Sequence, residues 1–146
     1  MADSTVTIKI EDWVRNVWMK NEYGQSFSKK ILVLNTGGNY EFDAVSEDDK
    51  IVGLISTSSA FTASGNRAPG PNRKIKADIL YFTMIKTERK LLLFTEDNLY
   101  KEFVVEKNNR RIPNDIELVK VNIPEDMNDE LKMFKSIASK EVTPKR

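Results

Sequence analysis

Neither cysteine nor histidine occurs among the 146 residues of this sequence. The missing cysteine excludes disulfides, thiolate nucleophiles and zinc or iron–sulfur sites with cysteine ligands. The missing histidine removes the commonest general base and the commonest transition-metal ligand, so a Ser-His-Asp triad is excluded as well. Catalytic chemistry in this chain would therefore depend on carboxylates, lysine, tyrosine or serine, or on a hard cation such as Mg²⁺ held by carboxylates.

Long apolar runs are lacking too. The densest apolar stretches, Ile79–Ile85 and Leu91–Phe94, are far shorter than the roughly 20 residues that a membrane-spanning helix needs. The first residues, Met-Ala-Asp-Ser, do not show the basic and then apolar pattern of a secretion signal. With 40% hydrophobic and 31% charged residues, the chain is predicted to be a cytoplasmic globular protein without a membrane partner. Its length predicts a single domain over residues 1–146.

The net charge of +1 conceals a basic centre. Residues 64–90 carry seven basic and two acidic residues, whereas residues 1–63 carry six basic and nine acidic residues. Residues 91–146 carry ten basic and eleven acidic residues. This distribution is compatible with an edge that contacts nucleic-acid phosphates, and also with a solvated loop followed by one charged helix face.

The first periodic segment predicts a helix over about residues 10–22. Apolar residues recur there at the spacing of one helix face, and Gly24 follows as a stop signal. Trp13 and Trp18 belong to this apolar face. They are interpreted as core anchors, although an exposed tryptophan could also stack on a nucleic-acid base.

Three strand-like runs follow at Lys30–Leu34, Tyr40–Ser46 and Lys50–Thr57. A glycine-containing turn separates the first two runs and an acidic turn separates the last two, which predicts an antiparallel meander. Strict alternation along the second run places Phe42 and Ala44 on one face of the strand.

A long polar loop, residues 56–73, comes next and is rich in hydroxyl side chains, glycine and proline. Loops of this length inside compact domains are often functional or mobile. The loop leads into Lys74–Ile85, where the apolar spacing predicts a helix that starts near Pro71 or Asn72. The stretch Ile79–Thr83 would also suit a strand.

The C-terminal half predicts two further strands and two helices. Lys90–Thr95 is a short continuous apolar run, which is typical of a strand that is buried on both faces and paired in parallel. A helix begins near Thr95, a strand covers Asp115–Ile123, and a last helix starts at Pro124. The apolar face of that last helix comprises Met127, Leu131, Phe134 and Ala138. The element order predicts an α/β (α+β) fold in which helices flank a mixed sheet on both sides.

This order, α-β-β-β-α-β, resembles the core of the PD-(D/E)XK, or restriction-endonuclease-like, superfamily. Its signature is an Asp near the start of the second strand and a (Glu/Asp)-x-Lys motif on the third. The two carboxylates hold Mg²⁺ at the scissile phosphate, and the lysine orients or deprotonates the attacking water. The resemblance covers residues 8–105 and leaves a C-terminal strand-helix extension over residues 112–140. It implies that Asp43 is the metal-ligand position.

The second motif of the superfamily is replaced here by Ser56-Thr57-Ser58. Ser56 stands for the second carboxylate and Ser58 for the lysine. A neutral hydroxyl is a poor Mg²⁺ ligand and cannot replace an ammonium group. The resemblance therefore implies a catalytically degenerate domain that associates with nucleic acid, with DNA favoured over RNA. Four basic residues on the 65–76 edge are the candidate phosphate contacts: Arg67, Arg73, Lys74 and Lys76.

Two other hypotheses stay open at this point. An active Mg²⁺-dependent endonuclease would use Glu41 as the second metal ligand, since Glu41 lies two residues before Asp43 and hence on the same strand face. The role of the lysine would then pass to Lys74 or Lys76, a relocation that the superfamily tolerates. Alternatively, the near-neutral charge suits a protein-interaction scaffold or homo-oligomer without nucleic-acid binding.

Overall fold

The computed structural model describes residues 5–130 and Met133. The helices are α1 (Thr5–Trp13), α2 (Met19–Tyr23), α3 (Pro69–Phe82) and α4 (Asp97–Asn108), and the strands are β1 (Phe27–Val33), β2 (Asn39–Ser46), β3 (Ile51–Ser56), β4 (Arg89–Phe94) and β5 (Ile116–Lys120). A π-helical turn, Val14–Trp18, joins α1 to α2. Residues 125–130 are also helical, and the predicted apolar positions Leu131, Phe134 and Ala138 lie outside the described residues. No helix within this part of the chain is long and apolar enough to cross a membrane.

The strands form one mixed sheet in the order β1-β2-β3-β4-β5. The pairs β1–β2 and β2–β3 are antiparallel, while β3–β4 and β4–β5 are parallel. The predicted meander and the predicted parallel pairing of the apolar run in β4 are confirmed. Each parallel connection crosses over through a helix, α3 between β3 and β4 and α4 between β4 and β5.

Helices cover both faces of this sheet, which confirms the predicted fold class. On one face, Ile10 of α1, Val14 of the π turn and Met19 of α2 are buried together with Leu91 and Leu93 of β4. The other face is covered by α3 and α4. Their buried residues Ile75, Phe82, Leu99 and Phe103 pack with Leu92 and Phe94 of the same strand. β4 is thus buried on both sides, as its unbroken apolar run indicates.

Gly53 of β3 allows the first helical layer to approach the sheet closely. A Cβ atom at this position would lie 2.9 Å from Cδ1 of Leu93 and 3.3 Å from Cε of Met19. Such distances are shorter than ordinary van der Waals contact, so a larger residue would force the side-chain ends of Leu93 and Met19 to shift.

The N-terminal helical segment is longer than predicted and is not a regular α-helix. It runs continuously from residue 5 to residue 23 and ends at Gly24, whose φ of 72° gives the expected left-handed cap. The π turn shifts the helix face within the segment, so that Arg15 becomes buried. Trp13 and Trp18 are only partly buried and pack on the border of the core.

A β-bulge interrupts the alternation of β2. Asp43 and Ala44 together lie opposite the single residue Lys29 of β1, because the register shifts at this point. The prediction that Ala44 shares a face with Phe42 is therefore wrong. Phe42 belongs to the core beneath α3, whereas Ala44 belongs to the core beneath α1 and α2. A bulge adds one residue to one strand and re-aims the side chains that follow.

α3 begins earlier than predicted, at Pro69 instead of Pro71 or Asn72. Proline is favoured in the first turn of a helix, where its missing N–H leaves no hydrogen bond unmade. The helix ends at Phe82, and Ile85 lies in the connection to β4. The predicted helix is confirmed, and the alternative of a strand over Ile79–Thr83 is excluded.

Candidate functional site

Asp43 lies at the bulge of β2, beside the end of β3. Its Oδ2 accepts a hydrogen bond from the backbone N–H of Ile55 at 2.8 Å. Its backbone carbonyl accepts a second hydrogen bond, from Nε of Arg15 at 2.6 Å. The π turn, β2 and β3 therefore meet at Asp43, and its partner Ile55 directly precedes Ser56.

The environment of Asp43 disfavours its charged form. Burial raises the pKa of Asp43 from 3.8 to about 6. The hydrogen bond from Ile55 and the positive charge of Lys74 act in the opposite direction, while the negative charges of Glu11 and Asp78 add to the increase. A carboxyl group that titrates near neutral pH is typical of functional sites.

A buried guanidinium group lies on one side of Asp43. The Arg15 residue is 6% exposed, and its ion pairs join Nη2 to Glu11 at 2.7 Å and Nη1 to Asp12 at 2.8 Å. Lys29 of β1 also reaches Glu11, at 3.4 Å. Glu11 is thus already paired with two cations of the protein.

A second acidic residue, Asp78 of α3, lies on the other side. It is 4% exposed, and it accepts hydrogen bonds from Nζ of Lys74 at 2.6 Å and from the hydroxyl of Tyr40 at 3.2 Å. The ring of Tyr40 stacks on Tyr81 with 3.9 Å between the ring centroids. Burial raises the pKa of Asp78 above its ordinary value, although Lys74 and Tyr40 oppose the increase.

Glu11, Arg15 and Asp78 were not among the candidates from the sequence. The spacing of Glu11 to Arg15 and of Lys74 to Asp78 is i,i+4, which is the usual spacing of ion pairs on a solvated helix surface. The spacing alone does not show that these pairs face Asp43. The bulge and the packing of α3 bring both ion pairs close to Asp43.

Ser56, one of the two serines at the positions of the superfamily motif, and the nearby Ser59 both accept hydrogen bonds. Oγ of Ser56 accepts the N–H of Ser58 at 3.4 Å. Oγ of Ser59 accepts the N–H of Phe61 at 3.1 Å and the side-chain amide of Asn98 at 2.8 Å. The hydroxyl-rich loop therefore folds on itself and is attached to the first turn of α4.

The four predicted phosphate contacts do not form one continuous row. Lys74 turns toward Asp78, and Arg67 pairs with Glu102 of α4. Lys76 lines a groove of about 440 Å³ between α3 and α4. Arg73 is exposed, and it forms no ion pair with any residue that the structure describes.

The two predicted metal ligands are not joined by a contact within the described ranges. Glu41 is exposed and lies opposite Ile31 of β1, and its side chain has neither a hydrogen bond nor an ion pair with the described residues. The described part of the chain contains no group of three or more acidic residues that could hold a metal ion. Since Glu11 and Asp78 are already paired with protein cations, the residues around Asp43 do not fit Mg²⁺, which needs several available oxygen ligands.

Comparisons of the chain with protein-family models, with curated proteins and with solved structures find no match. The resemblance to the PD-(D/E)XK superfamily depends on the element order and on the position of Asp43.

Proposed function

We propose that this chain is a nuclease-like domain that associates with nucleic acid, preferably DNA, and has lost its catalytic metal site. The observation that carries the proposal is the segment 51–77, which contains four basic residues and no acidic residue. The segment includes β3, the hydroxyl-rich loop and the first part of α3. Ligands of open α/β sheets bind outside the carboxyl ends of the parallel strands, and the loop of this segment leaves from such an end.

Electrostatics support phosphate binding at this edge. Arg73 and Lys76 are exposed on α3 and form no ion pair with the described residues. Both are therefore available to phosphate groups, which supply most of the affinity in nucleic-acid binding that is independent of sequence. The side chain of Lys74 is 62% exposed even though it pairs with Asp78. Its ammonium group can therefore bind a phosphate and Asp78 at the same time.

The loss of catalysis is supported by the surroundings of Asp43. Hydroxyl groups occupy the positions at which the superfamily has a carboxylate and a lysine, Ser56 and Ser58. The carboxylates that do approach Asp43, those of Glu11 and Asp78, are neutralised by Arg15 and Lys74. Protein cations thus supply the positive charge that a metal ion would supply in an active nuclease.

The first prediction concerns salt-dependent binding. A double variant, Arg73→Glu with Lys76→Glu, should weaken binding to a 20-base-pair duplex DNA about tenfold or more at low salt. It should also reduce the slope of log K against log salt by about 2, because each phosphate contact contributes roughly 0.9 to that slope. Fluorescence anisotropy between 50 and 200 mM NaCl measures both quantities.

A charge-matched control for this experiment is Lys20→Glu with Lys86→Glu. Both lysines are exposed. Lys86 precedes β4 and therefore lies at the end of the strands opposite to the one from which the hydroxyl-rich loop leaves β3. Equal losses of affinity in the two double variants would contradict the proposal, because binding would then depend on net charge alone. If the protein does not bind DNA at low salt, a scaffold role is favoured instead.

The second prediction concerns cleavage. The wild-type protein, incubated with supercoiled plasmid and Mg²⁺ or Mn²⁺, should nick the plasmid no faster than the variant Asp43→Asn. Gel electrophoresis over a time course measures the conversion to the nicked form. Cleavage by the wild type that disappears in Asp43→Asn would overturn the degenerate site and would support the active endonuclease.

A further inference from the structure

Phe61 is an exposed aromatic residue within the acid-free segment 51–77. The residue is 44% exposed, and it stands in a small hairpin where it pairs with Arg67 in an antiparallel bridge. The turn of this hairpin is closed by two backbone hydrogen bonds, from Thr62 N–H to the carbonyl of Asn66 at 2.7 Å and from Gly65 N–H to the carbonyl of Thr62 at 2.9 Å. The ring is therefore presented from an ordered loop.

The base of the hairpin is fastened to the rest of the fold. Ala60 is buried, and its N–H donates to Oδ1 of Asn98 at 2.9 Å. On the other strand of the hairpin, Arg67 pairs with Glu102 of α4, which also accepts a hydrogen bond from Asn72 at 2.7 Å. These contacts hold the hairpin on α4 and leave nearly half of the surface of Phe61 exposed to solvent.

The chemistry around this ring suits an unpaired nucleotide. Residues directly opposite each other in an antiparallel pair have their side chains on the same side, so Phe61 and Arg67 are neighbours. The Arg67 side chain is 55% exposed in spite of its ion pair. An aromatic face stacks on any base, and an adjacent guanidinium attracts the phosphate that follows it.

We propose, on the basis of the proposed function, that Phe61 is a stacking platform for an unpaired base of single-stranded DNA. The phosphates next to that base contact Arg67 and the basic residues that follow it in sequence. Duplex DNA does not use the platform, because its bases are already stacked on each other and paired. The platform thus adds a preference for single-stranded segments to the phosphate binding of the basic edge.

The test measures the binding of two probes to the wild-type protein and to three variants. The probes are a 12-nucleotide oligothymidylate and a blunt 20-base-pair duplex, both fluorescently labelled and titrated at 50 mM NaCl. Phe61→Ala should weaken binding of the oligothymidylate about 5-fold to 160-fold, the range that stacking of one base represents, and should change duplex binding less than twofold. Phe61→Trp keeps an aromatic ring at this position and should bind the single strand about as tightly as the wild-type protein. Leu80→Ala, which removes another exposed apolar side chain, should change neither affinity.

Each contrary result has a distinct meaning. If Phe61→Ala leaves the single-strand affinity unchanged or weakens both probes equally, the stacking platform is wrong. The proposed function survives that result as long as Arg73→Glu with Lys76→Glu still weakens duplex binding. If the wild-type protein binds neither probe, both proposals are wrong.

Discussion

Replacing Asp43 with asparagine should stabilise the protein at pH 8 and have almost no effect at pH 4. The pKa of Asp43 is about 6 in the folded protein, against 3.8 as the ordinary value. Between these values the folded protein holds a proton that the unfolded chain has lost, so stability falls as the pH rises. Above pH 6 the ionised group lowers the free energy of unfolding by up to about 3 kcal/mol, and asparagine removes this penalty. The asparagine carbonyl can still accept the N–H of Ile55.

Urea unfolding at pH 4, 5, 6, 7 and 8 measures this difference. The matched control is Asp129→Asn, which removes an exposed carboxylate from the helical residues 125–130. The control should change stability by less than about 0.5 kcal/mol at every pH, as most surface substitutions do. A stabilisation by Asp43→Asn that does not depend on pH would contradict the buried, ionisable state of Asp43. A pH-dependent gain would show that Asp43 is retained at a thermodynamic cost, which is common at functional sites.

Replacing Phe82 with alanine should destabilise the protein by about 3–5 kcal/mol, the usual effect of truncating a fully buried phenylalanine. Phe82 is 0% exposed, and its ring lies 5.7 Å from that of Phe42 between centroids. The contact joins the end of α3 to β2 at Phe42, the residue directly before the bulge. Truncation would leave a cavity in this core and would loosen the helix that carries Lys74 and Asp78.

The control for Phe82→Ala lies on the same helix. Leu80 is 53% exposed, so Leu80→Ala should change the free energy of unfolding by less than about 0.5 kcal/mol. Urea unfolding at pH 7 gives both changes in the free energy of unfolding. They follow from the shift of the transition midpoint when the slope of free energy against urea concentration is unchanged. Similar losses of unfolding free energy for Leu80→Ala and Phe82→Ala would mean that the side of α3 that carries Phe82 does not hold the helix on the sheet.

Most elements of the fold could be predicted because their signals are local. The apolar run of β4, the turns on either side of β2 and the stop at Gly24 each depend on neighbouring residues. Pairing of the strands then follows from general rules on connections, which favour a meander and a crossover through α3. The position of Asp43 beside the end of the third strand follows from the same hairpin geometry.

The surroundings of Asp43 could not be predicted because they depend on contacts between distant segments. The bulge is a shift of register between β1 and β2, and strict alternation along β2 gives no sign of it. Asp78 reaches Tyr40 only because α3 packs across the sheet. Arg15 reaches the carbonyl of Asp43 from a helix that is 28 positions away in sequence.

The π-helical turn Val14–Trp18 sets the rotational phase of the N-terminal segment. A π turn contains about one residue more than an α-helical turn, and one residue corresponds to a rotation of about 100°. In an uninterrupted α-helix the nine steps from Ile10 to Met19 would turn through about 900°, which would place the two side chains on opposite sides of the helix. The wider π turn absorbs one residue, and both side chains therefore face the sheet. The helical geometry of this segment, and not its hydrophobicity alone, keeps the first helical layer packed on the sheet beside Asp43.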